Sequence, residues 1–428
     1  MDEKEIQKSG KTEIFLNNLH GSFKKIIFSK RWTAAVIIFC IGFFTSYIFT
    51  VQIPGSVLLQ GDQAQYNEYA THLLSGEGYF SHDFFSGLRP PGYPLFLFSI
   101  YSVFGHSFFA VHFMQCILNA FTCFLCFLLA KRLLKNKEIA FLSAIILAFS
   151  RGFFEMPSNI LSGTFFTLVF ILSIYFLSDP EEKISKFLLS AFLLGLSALI
   201  HPSVVFIPIF LFLWFIRGKR WMKVKTYFLY FLFIACFLIT LFPWLNRNYK
   251  IYQKIIISTT GGQTFAGSNN VRSKGGWVSK GLKFSDNYNE IERDKILYKD
   301  GIDYIKTLNS ADFFNHYILK IFKLFSPFRP SYDLLFAFFL PFLIAGIILF
   351  GFKEQFGLRL PLIIVFYLLF TTLVFYGSPR MRGPYLPYFS MFIGVTVFNL
   401  FKNYRRSYIL FCLLIILNCV LAYSMGWI

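Results

Sequence analysis

The chain has 428 residues, 56% of them hydrophobic, only 15% charged and 60 of them phenylalanine, with a formal net charge of +19. No soluble domain of this length could bury so much apolar surface, so the composition points to a polytopic helical membrane protein. The positive charge does not argue for nucleic acid, because the basic residues stand in short links between apolar runs, the pattern of cytoplasmic-loop anchoring.

In chain order, residues 1–32 are too long and too polar for a cleaved signal peptide and carry Lys24, Lys25, Lys30 and Arg31 near their end. They are expected on the cytoplasmic side, ahead of an uncleaved first span, "TAAVIIFCIGFFTSYIFTV". A polar loop follows over 54–91, then "GYPLFLFSIYSVFG", which is short for a crossing and suits a helix along the interface. The next span ends inside at "KRLLKNK". "IAFLSAIILAF" leads out to "SRGFFEMPSN", and "ILSGTFFTLVFILSIYFL" returns to "DPEEKISK". "FLLSAFLLGLSALI" goes out to "HPS", and "VVFIPIFLFLWFI" comes in to "RGKRWMKVK". "TYFLYFLFIACFLITLF" exits at "PWLNRNYK" into the longest polar region, and the last spans turn at "GFKEQFGLR" inside, "YGSPRMRG" outside and "KNYRR" inside.

This alternation predicts an all-α membrane protein of about eleven spans. It divides into a cytoplasmic segment (1–32), an N-terminal transmembrane module (33–243) holding the first outer loop, an extracytoplasmic loop region (244–330) and C-terminal transmembrane helices (331–428). The seven cysteines, Cys40, Cys116, Cys123, Cys126, Cys236, Cys412 and Cys419, all fall in apolar runs and read as packing thiols.

The same alternation gathers Asp62, Glu68, Arg89, Glu155, His201, Arg247, Asn248, Arg380 and Arg382 at the outer ends of spans. Positive charge kept on the outer face, against the usual bias, suggests an anionic ligand there. Asp62 can act as a general base, bind a metal, or simply cap a helix. Glu68 is not on the same helical face as Asp62 and reads as a solvated surface residue. In "RPPGYP" the prolines and Gly92 make a rigid elbow, while Arg89 can pair with Asp62 or bind phosphate. "PWLNRNY" sets Trp244 as an interface anchor beside Arg247 and Asn248. The downstream "STTGGQTFAGSNN" is either a donor-rich cradle for sugar or phosphate oxygens or a flexible loop. Arg380 and Arg382 suit bidentate phosphate binding or snorkelling, and one of the two is expected to take the ligand. His201, a lone histidine at a helix end, reads as structural or as an acid/base.

The series "GDQAQYNEYATHLLSGEGYF…RPPGYPLFLFSIYSVFG", "GLSALIHPS", "PWLNRNYKIYQKIIISTTGGQTFAGSNN" and "RMRGPYLP" resembles the polytopic glycosyltransferases of GT-C fold. It is most similar to the bacterial branch related to protein O-mannosyltransferases and the aminoarabinose transferase of lipid A. The resemblance runs from about residue 32 to the last spans. It implies an inverting transfer on the extracytoplasmic side of a bacterial inner membrane, from a sugar on a polyprenyl phosphate to a lipid, glycan or protein acceptor. It assigns Asp62 as the base on the acceptor or as its orienting carboxylate, directly or through a divalent metal. It assigns Arg247, Arg380 and Arg382 to the donor phosphate, where Arg89 is a further candidate from its own chemistry. Glu155, His201 and Asn248 are candidates for the acceptor side or for a second acidic role. Two departures stand out: Gly163 occupies a place where relatives carry Glu, and His201-Pro202 stands where they have Arg-Pro.

Two other classes compete. A transporter for an anionic lipid would need ionisable residues near mid-membrane and broken helices, which are sparse here. A catalytically silent partner subunit is kept in play by Gly163.

Overall fold

The computed structural model describes residues 32–52, 59–81, 85–179, 183–216, 222–279, 282, 289–329 and 331–402. The basic cluster ahead of the first span, the last span expected after 402, Cys412 and Cys419 lie outside the described residues.

The described chain is helical apart from one two-residue antiparallel pair, Phe328–Arg329 with Ser331–Tyr332. Its helices are α1 (Thr33–Thr50), α2 (Asp62–Ser75), α3 (Gly92–Phe104), α4 (Phe108–Leu134), α5 (Lys137–Phe149), α6 (Arg151–Phe154), α7 (Gly163–Leu177), α8 (Ile184–Ile200) and α9 (Ile207–Phe215). They continue as α10 (Val224–Tyr252), α11 (Gly261–Ser268), α12 (Glu290–Thr307), α13 (Ser310–Phe325), α14 (Leu334–Gly346), α15 (Arg359–Val374), α16 (Pro379–Arg382) and α17 (Leu386–Lys402).

Helices of this composition leave no backbone group to lipid, since each N–H and C=O is satisfied within its own segment. Four described segments are long and apolar enough to cross a membrane: α1, α4, α10 and Leu334–Gly351. A fifth results if α5 and the turn after it, bent by 63° at Ser150, count as one span. The other apolar helices run 10–17 residues. The expected eleven crossings are therefore not established by these helices. Prolines and tight turns shorten several of them below the ~20 residues a bilayer requires.

The core sits where α4 packs against α1, α5 and α7, with α8 between α7 and α10, and α17 between α5 and α14. Polar side chains tie these helices together inside the apolar bulk. Asn119 on α4 donates to Ser46 Oγ on α1 (3.2 Å) and to the Phe153 carbonyl on α6 (2.9 Å). In a medium without water such bonds are worth keeping, because the alternative is an unsatisfied polar group. The five described cysteines are free thiols, and Cys116, Cys123 and Cys126 are buried among these helices.

Three details differ from the sequence reading. The helix expected to end at Pro243 runs through it to Tyr252. Proline removes one hydrogen bond but does not stop a helix whose neighbours hold it. Trp244, expected at an interface, is buried, with its indole N–H on the Ile257 carbonyl (2.8 Å). The Gly/Ser/Thr/Asn stretch is not a loose loop. It contains α11, whose Gly262 N–H donates to Asp294 on α12 at 2.6 Å.

Connections distant in sequence meet at one end of the bundle. Ile160 N–H reaches Gln63 (2.9 Å), Ser86 N–H reaches Glu290 (2.7 Å) and Asp62 reaches Arg380 (3.0 Å).

Candidate functional site

Asp62 is the first residue of α2, preceded by Gly61 at φ +55°, a left-handed conformation that only glycine adopts at low cost. Gly61, not Asp62, occupies the cap position, so the side chain of Asp62 is released from capping. Both its oxygens go to arginines. Arg89 Nη2 lies 2.5 Å from Oδ1, and Arg380 Nη2 lies 3.0 Å from Oδ2. Burial works against the charged form of Asp62. The two guanidiniums outweigh it and hold the carboxyl below its ordinary value. Two cations facing one anion leave the cluster positive, and 38% of the Asp62 side chain stays in contact with solvent.

Arg89 is fixed from several directions. Its Nε donates to Gln65 Oε1 at 2.9 Å, one turn along α2 from Asp62, and its guanidinium lies 5.3 Å from the Tyr66 ring centroid. Its carbonyl accepts the Tyr79 hydroxyl at 2.8 Å. The far side of the cluster comes from the turns after α8 and α15. His201 Nδ1 is 2.7 Å from Ser203 Oγ, and the imidazole stacks obliquely on Phe166. Burial first, then the charges of Arg380 and Arg89, push His201 down to about 4, so the ring is neutral at pH 7. Tyr376, just before α16, is raised by burial and feels the same three charges, Arg380, Asp62 and Arg89.

Asp62, Arg89, Arg380 and His201 thus come together. The remaining candidates are placed elsewhere. Arg247 is held beside the loop that carries Arg89. Its Nη1 donates to the Ser86 carbonyl (2.9 Å) and to Asn248 Oδ1 (2.8 Å), and its guanidinium lies against Trp244 and Tyr79. Asn248 is fully buried and donates to the Ile256 carbonyl (2.9 Å). Glu155 pairs with Arg151 at 3.2 Å. Arg382 is buried over the Phe336 ring, with Nη1 on the Leu324 and Ser326 carbonyls and Nη2 3.7 Å from Asp333. A Cβ at Gly163 would meet only Met156 Sδ, at 3.5 Å, so packing does not demand glycine there. Gln65, Tyr66 and Tyr376 were not singled out by sequence reasoning. For Gln65 a signal existed, since Asp62 and Gln65 are three apart on one helix face.

A divalent metal does not fit this donor set. Each Asp62 oxygen faces a guanidinium, and among the described residues no three His, Cys, Asp or Glu side chains converge.

Residues 88–246 match the family described as dolichyl-phosphate-mannose-protein mannosyltransferase, a segment that includes Arg89, His201 and Trp244. The fold matches the apo oligosaccharyltransferase of Archaeoglobus fulgidus at TM-score 0.55 and 12% identity, over 92% of this chain and 54% of that one. It also matches the archaeal oligosaccharyltransferase AglB of the same organism, in complex with an inhibitory peptide and a dolichol-phosphate. That match has TM-score 0.51 and 11% identity, over 88% and 51% of the two chains. ArnT from Cupriavidus metallidurans, bound to undecaprenyl phosphate, aligns over 87% of this chain and 79% of its own at 11% identity, with a TM-score of 0.44. No curated protein matches the sequence. The chain spans about half the length of the two archaeal chains. It is a multi-pass membrane protein with the GT-C fold that those two archaeal chains share.

Proposed function

We propose that this chain transfers a sugar from a polyprenyl-phosphate donor to a lipid, glycan or protein acceptor on the extracytoplasmic face of a bacterial inner membrane. The observation that carries this reading is the Asp62 carboxylate shared by Arg89 and Arg380, positive overall and open to solvent. In an inverting transfer the acceptor hydroxyl or amine attacks the anomeric carbon from the face opposite the phosphate. The bond from that carbon to the phosphate oxygen breaks, and the lipid phosphate leaves with the electron pair. Arg89 and Arg380 are suited to that leaving anion, because guanidiniums remain charged and bind phosphate oxygens in pairs. Asp62 is ionised at neutral pH and keeps lone pairs beyond the two used by the arginines, so it can accept the acceptor's hydrogen and orient its attack. His201, which feels the charges of Arg380, Arg89 and Asp62, is neutral and adds no charge of its own to the cluster. The dolichol-phosphate bound to the archaeal oligosaccharyltransferase AglB, whose fold this chain resembles, agrees with a prenyl phosphate as donor.

The test is mass spectrometry of envelope lipids and glycans from wild-type, deletion and Asp62→Asn-complemented strains. A sugar lost in the deletion and not restored by the variant at normal protein level supports the reading. Full restoration would remove Asp62 from the chemistry.

A further inference from the structure

Ser86, Gly87 and Leu88 precede Arg89, and nearly every polar group of their backbone is gripped by the region 244–290. The centre of that grip is Glu290, the first residue of α12 and only 7% exposed. Asn289 and Glu292 cap α12 between them, which leaves the Glu290 side chain free to turn inward. Its Oε1 accepts Ser86 N–H (2.7 Å) and the Tyr252 hydroxyl (2.9 Å). Its Oε2 accepts Gly87 N–H (3.1 Å) and the Thr259 hydroxyl (2.6 Å). Thr259 N–H returns to the Gly87 carbonyl (2.9 Å), and Arg247 takes the Ser86 carbonyl (2.9 Å). A Cβ at Gly87 would stand 2.8 Å from Tyr252 Oη and 2.9 Å from Glu290 Oε2, so a larger residue there would push these side chains aside.

We propose that Glu290 is a positioning residue: its carboxylate sets the Ser86–Gly87 backbone and thereby places the Arg89 guanidinium on Asp62, where it meets the donor phosphate. This rests on the functional reading above. The charge itself matters, not only the shape. Oε1 faces the Ser86 N–H and the Tyr252 hydroxyl, with the Gly87 N–H further off at 3.4 Å, and Oε2 faces the Gly87 N–H at 3.1 Å and the Thr259 hydroxyl. The hydroxyls can reverse from donor to acceptor, but the N–H groups cannot. A glutamine at 290 must therefore aim its NH2 at one of those N–H groups and lose that bond.

The experiment measures the affinity of the full chain, in detergent, for undecaprenyl phosphate. It compares wild type, Arg89→Ala, Glu290→Gln, the Glu290→Gln/Arg89→Ala double variant and Tyr252→Phe. Hydrogen exchange at residues 85–89 is followed alongside. Glu290→Gln is expected to weaken binding about ten- to a hundredfold, the worth of one hydrogen bond to a charged group. It should also speed exchange at 85–89 and add nothing in the Arg89→Ala background. Tyr252→Phe removes one bond of the set and should shift affinity and exchange the same way, about twofold, even if Glu290→Gln fails to fold. Equal losses in both backgrounds would show a merely structural role and overturn the proposal. So would an unchanged affinity in Glu290→Gln and Tyr252→Phe while Arg89→Ala binds weakly, an outcome that leaves the donor-site reading standing. If Arg89→Ala binds as wild type does, the donor-site reading fails and the positioning role falls with it.

Discussion

Arg380 and Arg382 stand two residues apart on the four-residue helix α16, yet their carboxylate partners sit in opposite settings. Arg380 keeps 56% of its side chain in solvent and meets an Asp62 that already holds Arg89. Arg382 and Asp333 are almost wholly enclosed, and carbonyls and an aromatic face complete the arginine's surroundings. The first pair has surplus positive charge and an open side. The second is matched and closed. A matched buried pair serves structure, since removing either member strands a charge in low dielectric. An open pair with an extra cation can take up another anion at small reorganisation cost. The same residue type, in the same motif, is thus divided between an open setting and an enclosed structural one by which way the helix turns it.

The contrast can be broken most decisively at the carboxylates. Asp62→Asn is expected to cut transfer about 100-fold or more while leaving the melting temperature near that of wild type. Asp333→Asn should instead reduce the yield of folded protein. An Asp62→Asn protein with full activity would end the distinction. Next in size is Arg382→Ala, expected to cost about 3–5 kcal/mol because Asp333 stays buried without its partner. That loss would be read as a fall in the melting temperature of the detergent-solubilised chain. Arg380→Ala should show the reverse pattern, an unchanged melting temperature with undecaprenyl-phosphate affinity about tenfold weaker.

The smallest effects are in pH dependence, and they sharpen the same comparison. The Asp62 carboxyl is held below its ordinary value despite burial, by Arg89 and Arg380. Its contribution to stability is therefore complete above the unfolded value of about 3.9 and is lost only as pH falls through the lowered folded value. Melting temperatures of wild type and Asp62→Asn should run parallel from about pH 8 to 5 and change their spacing only below about pH 4. His201 behaves oppositely. Its folded value is pushed down to about 4, so the unfolded chain takes up the proton first as pH falls from about 6.5. Stability declines through that window, and His201→Asn should flatten the slope. His316 on α13, likewise lowered to about 4 by burial and the neighbouring Lys320, should account for part of the slope that persists. A slope unchanged in His201→Asn would place that imidazole in contact with water.

Much of this was legible in the chain itself. Apolar runs broken by basic links declare a helical membrane protein, because lipid admits only backbones that satisfy themselves. The polar and charged residues at the ends of those runs name the candidates for an outer-face site: Asp62, Arg89, Glu155, His201, Arg247, Asn248, Arg380 and Arg382. What the chain could not declare was which of them meet. Asp62 and Arg380 are 318 positions apart, and only the packing of α2 against the turn before α17 brings them to 3.0 Å. Arg382 carries the same local signal as Arg380, and its burial under Phe336 depends on where α14 docks. Nothing in the local sequence marks Glu290 out. Its role came from the tertiary structure, because a carboxylate acquires one only when donors from 86, 87, 252 and 259 converge on it. Local sequence determines what a residue can bond to, and the fold alone decides which partners arrive and how much water remains between them.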